Sequence, residues 1–146
     1  MHFEGSVSIG APRDRVWAFV TDPEQVGSCG PGVESIEMVD ETHFRAKAKV
    51  GVGFISARFT VDLEMAEQAP PDQAVIKARG QAPGSAVDAT ASMHLLDGED
   101  GVTVMEWAAD VNVAGTIASV GARLIEGTAN KMIGQTFDCM RTKLET

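Results

Sequence analysis

Three histidines, two cysteines and a run of alternating carboxylates are the residues here whose chemistry could make an enzyme. His2, His43 and His94 fall on separate strand-like stretches, with no HxxxH or CxxC spacing beside them to hold a metal ion. Cys29 lies in the turn Cys29-Gly30-Pro31-Gly32 with no histidine near it in sequence to draw off its proton, so it reads as a structural turn residue. Cys139 reads as a small apolar filler. Both thiols are expected to be reduced, because two unpatterned cysteines make no disulfide framework. Glu37, Glu64, Glu106 and Asp110 each sit at outward positions of period-two segments, so no pair of them is expected to act as acid and base in a pocket. Gly51-Val52-Gly53 lies between strands rather than before a helix, which removes it as a phosphate loop. The expectation is a container without a reagent: no catalytic residues and no metal.

The elements that position these residues follow from periodicity. His2 to Gly10 alternates as a half-buried strand, and Ala11-Pro12-Arg13-Asp14 opens a short helix whose apolar side is Val16, Trp17, Phe19 and Val20. Thr21-Asp22-Pro23-Glu24 ends it and begins a second helical turn to about Ser28. Strands are then expected at Val33–Val39, His43–Val50, Phe54–Ala66, Gln73–Gln81, Val87–Leu95 and Met105–Val113, joined by turns rich in Gly and Pro. The stretch Val113–Leu144 has helical spacing and contains no proline; Gly115-Thr116 is its expected cap. Its broad inner face is Ile117, Gly121, Leu124, Ile125, Thr128, Ala129, Met132, Ile133, Thr136 and Met140, with Arg123, Asn130, Lys131, Asp138, Arg141 and Glu145 opposite. Successive hairpins make an antiparallel sheet with one apolar face, and the last helix is the only large element able to cover it. That is an α+β fold, a long helix gripped by a curved sheet, in one domain spanning residues 1–146.

Composition narrows the partners. A net charge of −9 argues against nucleic acid, and Arg45, Lys47 and Lys49 alternate along one strand as a solvated sheet face. No apolar run approaches the ~20 residues of a membrane span.

The size of the inward residues is informative. Near strand centres they are Ala46, Ala48, Ala57, Ala78, Gly80, Ala89, Ala91 and Ala109, while bulk is displaced to Phe44, Phe59, Leu63, Leu95 and Trp107. Met38, Met65, Met93, Met105, Met132 and Met140 also fall on or near inward positions, where thioethers mould to irregular surroundings. Either sheet and helix approach closely through these small residues, or a hollow lies between them. A dry pocket of ~300 Å³ at ~24 cal/mol per Å³ costs roughly 7 kcal/mol, as much as the stability of a small domain, so such a hollow is expected to be occupied. An apolar guest losing ~400 Å² to water gains ~10 kcal/mol gross before binding entropy is subtracted.

The pocket is expected to be lined by Phe59, Leu63, Ala89, Ala91, Met93, Met105, Trp107, Val111, Ile117, Gly121, Leu124, Ile125, Thr128 and Met132. Thr128, Thr136 and backbone groups near Gly115 are the polar candidates for a guest's oxygen.

The segments Asp22-Pro23-Glu24 through Cys29-Gly30-Pro31-Gly32, Val50-Gly51 leading to Phe59, and Ala109-Asp110-Val111-Asn112-Val113-Ala114-Gly115 running into Gly121-Ala122-Arg123-Leu124-Ile125 and on to Phe137 resemble the G-subunit family of carbon monoxide dehydrogenase. That family belongs to the START-like (SRPBCC, Bet v1-like) helix-grip superfamily of lipid and polyketide binders, and the resemblance runs through nearly the whole chain in order. It implies a non-enzymatic accessory protein of a molybdenum carbon monoxide dehydrogenase. Such a protein would work peripherally at the cytoplasmic face of the membrane and hold an isoprenoid quinone, menaquinone first among the candidates, for the respiratory chain. Many relatives continue into a linker and an apolar anchoring segment, whereas this sequence stops at Thr146; Trp107 stands where relatives often carry Tyr. The alternatives are an adaptor that recruits or matures the dehydrogenase without quinone, and an enzyme of the START-like aromatase/cyclase type.

Overall fold

The computed structural model describes residues 1–145. In order, its elements are β1 (His2–Ile9), α1 (Arg13–Val20), α2 (Pro23–Gly27), β2 (Val33–Met38), β3 (His43–Val52), β4 (Ile55–Ala69), β5 (Gln73–Ala82), β6 (Ser85–Asp97), β7 (Thr103–Gly115), a 3-10 turn (Thr116–Val120) and α3 (Ala122–Leu144). The expected strand, two short helices, six strands and final helix are all present. Asp22 caps α2: its carboxylate accepts from the Glu24 N–H at 3.0 Å, and Pro23 follows it at the first helical position.

All seven strands form one antiparallel sheet in the order β1-β7-β6-β5-β4-β3-β2, so β2 to β7 meander and β1 closes onto β7. The N-terminal ammonium donates to the Val111 carbonyl at 2.7 Å, extending that pairing. Register shifts between Val33 and Ser35 and between Met65 and Glu67 bend β2 and β4. The sheet curves around α3, whose closest approaches to it are to β1 and β3, on either side of the middle strands. The helix therefore spans the curve like a chord.

This arrangement divides the core. At one end Ile9, Ala11, Val16, Phe19, Val20, Leu95 and Met105 pack with Met140 and Leu144 of α3. Thr103, fully buried there, donates its hydroxyl to the Ala11 carbonyl at 2.7 Å, which satisfies a polar group that would otherwise be costly to bury. At the other end a smaller cluster forms around Val52, Phe59 and Ile117.

Four expectations are corrected. The final helix begins at Ala122, not near Thr116, because Val113 to Gly115 complete β7 against Ser85 to Val87. The chain turns there through two positive-φ glycines, Gly115 at 85° and Gly121 at 97°. A Cβ on Gly115 would overlap the Gly84 carbonyl, so the turn requires glycine at that position. Met38 shares the face of its partner Phe44 but is 69% exposed, because it ends β2, an edge strand of the sheet. Phe54 is not the first residue of β4; it sits in the β3–β4 turn, 88% exposed. Finally, Cys29 and Cys139 are not free thiols but are joined as a disulfide, their Cα atoms 5.5 Å apart. The turn after α2 and the end of α3 meet only in the folded chain, and 110 residues of separation conceal that in the sequence.

Candidate functional site

Between the concave face of the sheet and α3 lie three adjoining apolar lobes. The first, of about 210 Å³, is bounded by Val52, Phe59, Ala89, Val111, Ile117 and Ile125. The middle lobe, about 470 Å³, lies between Ala74, Ala91, Met93 and Trp107 of the sheet and Met132 and Phe137 of α3, with Gly30 and Pro31 at its side. The third, about 250 Å³, runs under α2 between Val26, Ile36, Phe44, Leu63 and Met65. The first two lobes share Val50, Val61 and Met132 as lining, and the second and third share Val33, Ala48 and Thr136, so the three lie side by side along the channel between sheet and helix. The middle lobe alone is within the ~300–1,000 Å³ range of small-ligand sites.

The channel is where the small residues are. Ala78 pairs with Ala89, Ala89 with Val111, and Ala91 with Ala109, so adjacent strands present short side chains at the same level of the sheet. Their Cβ atoms end near the backbone while α3 is held off by bulk at both ends, and the difference is the hollow. Trp107 and Phe137 border the middle lobe in contact with one another, ring centroids 5.5 Å apart and planes tilted by 45°. A Cβ on Gly5, the strand partner of Trp107, would come within 3.1–3.3 Å of the indole, so glycine there leaves room for the ring.

Eleven of the expected lining residues border the three lobes: Phe59, Ala89, Val111, Ile117, Ile125, Thr128 and Met132 the first, Ala91, Met93 and Trp107 the second, and Leu63 the third. The other three lie elsewhere. Met105 is buried in the solid core; Gly121 is exposed in the turn before α3, where a Cβ would meet nothing within 4 Å; and Leu124 is 48% exposed, leaning toward the hairpin tip at Gly53. Gly121 falls in the break between the 3-10 turn and α3 and Leu124 in the first turn after it, at the open end of the helix, whereas Ile125, Thr128 and Met132 keep their inward positions. Sequence reasoning missed the wall contributed by Gly30, Pro31, Val33 and α2, because a turn shows no periodicity.

Polar groups in the channel are few. Thr136 donates its hydroxyl to the Met132 carbonyl at 2.8 Å and keeps only acceptor capacity, while Thr128 makes no side-chain hydrogen bond among the described residues. Backbone groups near Gly115 are already engaged: the Thr116 N–H donates to the Gly84 carbonyl at 2.8 Å and the Ile117 N–H to Ser85 Oγ at 3.0 Å. None of the residues lining the three lobes is ionisable. The histidines lie on the outer face, where His2 meets Asp110 at 2.7 Å and His43 meets Asp40 at 2.9 Å. Hydrogen bonding to those carboxylates raises both imidazoles above their ordinary value. Chemically, the channel can enclose an apolar molecule and offer it a hydroxyl or two.

The family model CoxG, which describes the G subunit of carbon monoxide dehydrogenase, matches residues 5–145. Among solved structures, a conserved protein from Geobacillus kaustophilus superposes with a TM-score of 0.93 at 21% identity, over 99% of this chain and 95% of that one. A START superfamily protein from Mycobacterium smegmatis superposes at 0.74 with 12% identity, over 99% and 97%. The Zhui aromatase/cyclase from a Streptomyces species does so at 0.72 with 18% identity, over 99% and 93%. At these identities the likeness is one of fold: the START-like helix grip. No curated protein matches the chain.

Proposed function

This chain belongs to the CoxG family, the G subunits of carbon monoxide dehydrogenase, and from that premise we propose that it is a non-enzymatic accessory protein that carries an isoprenoid quinone for a molybdenum-containing carbon monoxide dehydrogenase. The single observation that supports this reading is the row of adjoining apolar lobes between sheet and helix, none lined by an ionisable residue. A bicyclic quinone ring suits the middle lobe beside Trp107 and Phe137, and an isoprenoid tail suits the narrower lobes on either side. Menaquinone is the favoured guest. Enclosing such a molecule lets an apolar electron carrier cross the water between membrane and dehydrogenase. The aromatase/cyclase reading draws on fold likeness alone, and the lobes present no acid or base to drive a ring closure.

The test is extraction of the purified protein into organic solvent followed by mass spectrometry, with reloading by 2-methyl-1,4-naphthoquinone as the soluble probe. A quinone in the extract and saturable uptake of the probe are expected. Ala89→Phe, which fills the first lobe, should weaken retention of the native guest while leaving the fold intact by circular dichroism. An extract free of apolar guest together with no probe uptake overturns the carrier reading. Capture of the dehydrogenase by a chain that never binds quinone would favour the adaptor instead.

A further inference from the structure

The channel's first lobe lies at one end of the sheet, and that end differs from the rest of the surface. In an antiparallel meander the turns alternate between ends, so the β3–β4 and β5–β6 turns lie together with the end of β7 and the start of α3. Phe54 stands at the tip of the β3–β4 turn, 88% exposed, and Leu124 at the start of α3 is 48% exposed. The two elements touch: a Cβ on Gly53 would lie 3.3 Å from Leu124 Cδ1. Beneath them lie Val52, Ile117 and Ile125, the wall of the first lobe.

Charge is distributed to match. Lys47 to Thr60, the strand arms carrying Phe54, contain Lys47, Lys49 and Arg58 and no acidic residue, and Arg123 precedes Leu124, with Glu126 the one carboxylate of that helical turn. Arg58 is paired with Glu34 at 3.0 Å, but Lys49 and Arg123 form no ion pair among the described residues. The turns at the opposite end carry Asp40, Glu41, Asp72, Asp97, Glu99 and Asp100. A chain of net charge −9 thus has a locally cationic end bearing an exposed aromatic ring. Such a molecule is repelled as a whole by an anionic surface at long range, yet at contact, within a Debye length, it is held by that one end.

We infer that the end around Phe54 and Leu124 docks on an anionic lipid bilayer, Phe54 entering the acyl boundary while Lys49 and Arg123 meet lipid phosphates. This deepens the carrier reading and rests on it, because docking there sets the first lobe against the source of an apolar guest. Aromatic tips flanked by cations have the composition of interfacial anchors.

The test is co-sedimentation of the whole chain at low ionic strength with vesicles of phosphatidylcholine alone or mixed with phosphatidylglycerol. Binding to the mixed vesicles only is expected, weakening as salt rises, with Phe54→Ser and Lys49→Glu each reducing it by about tenfold. Met38→Ser, which removes an exposed apolar side chain from the far end, should leave it unchanged. The proposal is overturned if the chain stays in the supernatant with both vesicle types, if the two tip variants bind as the parent does, or if Met38→Ser loses as much as they do. Uptake of 2-methyl-1,4-naphthoquinone without vesicles reads the channel separately. A chain that takes up the probe but ignores vesicles keeps the carrier reading and loses this surface; one that binds vesicles through Phe54 but takes up no probe does the reverse.

Discussion

The indole of Trp107 on β7 and the ring of Phe137 on α3 meet at the border of the middle lobe, the one aromatic pair among the described residues, 5.5 Å between centroids. With Trp17 replaced by Phe, the emission of Trp107 should be quenched saturably by 2-methyl-1,4-naphthoquinone, since both rings border the middle lobe. Phe137→Ala should lower unfolding free energy by about 2 kcal/mol, less than a fully buried Phe because the ring is half-buried. Urea titration measures the loss, and unchanged quenching in that variant would remove Phe137 from the guest's surroundings.

The glycines of the last helix should answer differently to one methyl group. Gly127 and Gly134 lie inside α3 with open space around their Cβ positions, so alanine should stabilise the protein by about 0.5–1 kcal/mol at each. Gly121 has equal space but φ at 97°, and alanine there should destabilise by about 1 kcal/mol. Thermal melts of the three variants check the signs. Loss of stability at Gly127 or Gly134 would mean that something approaches the exposed side of α3.

These glycines also mark the limit of what the sequence discloses. Alternation gave the strands and their order because each has one wet and one covered face, and small residues such as Ala89 and Ala91 betrayed a thin layer between sheet and helix. Three features were hidden. The 3-10 turn and the break at Gly121 were concealed because Thr116–Val120 has the composition of helix and only the ladder of β7 with β6 dictates otherwise. The third lobe's wall is built from Val26, Gly30 and Val33, which come together through a turn of no period. The pairing of Cys29 with Cys139 depends on tertiary contact alone.

That disulfide closes a loop of 110 residues, and on the chain-entropy account a loop of this length stabilises by about 3–5 kcal/mol. Reduction, or replacement of both cysteines by serine, should therefore lower the melting temperature by roughly 10 °C for a chain of this size. Differential scanning fluorimetry with and without dithiothreitol measures it; an unchanged midpoint in a protein free of accessible thiols would contradict the entropic origin.

The β2–β3 turn should show two opposed pH limits. Its Asp40 carboxylate accepts from the Thr42 N–H at 2.9 Å and lies 2.9 Å from His43 Nδ1, contacts that lower it below its ordinary 3.8. Asp40, with a smaller part from Glu64, raises His43 above 6.5. The histidine's contribution is complete below 6.5 and is lost as pH rises through its raised folded value; that of Asp40 is present above 3.8 and is lost as pH falls through its lowered one. The turn is therefore tightest between about 4 and 6.5. NMR titration of the imidazole checks the sign: a midpoint for His43 below that of the free side chain would refute the pairing, and His43→Gln should abolish the alkaline limb while only weakening the acid one, which the Thr42 N–H also supports.

One end of α3 is fastened in the larger core and by a disulfide, the other only by packing against the smaller apolar cluster. Met140 and Leu144 are sunk in the solid core and Cys139 is tied covalently, whereas Ala122 follows a glycine with no side-chain cap and few neighbours. A rod clamped in this way behaves as a cantilever: its free tip deflects for little energy while its root stays fixed. Amide exchange should consequently run faster from Ala122 to Thr128 than from Thr136 to Leu144.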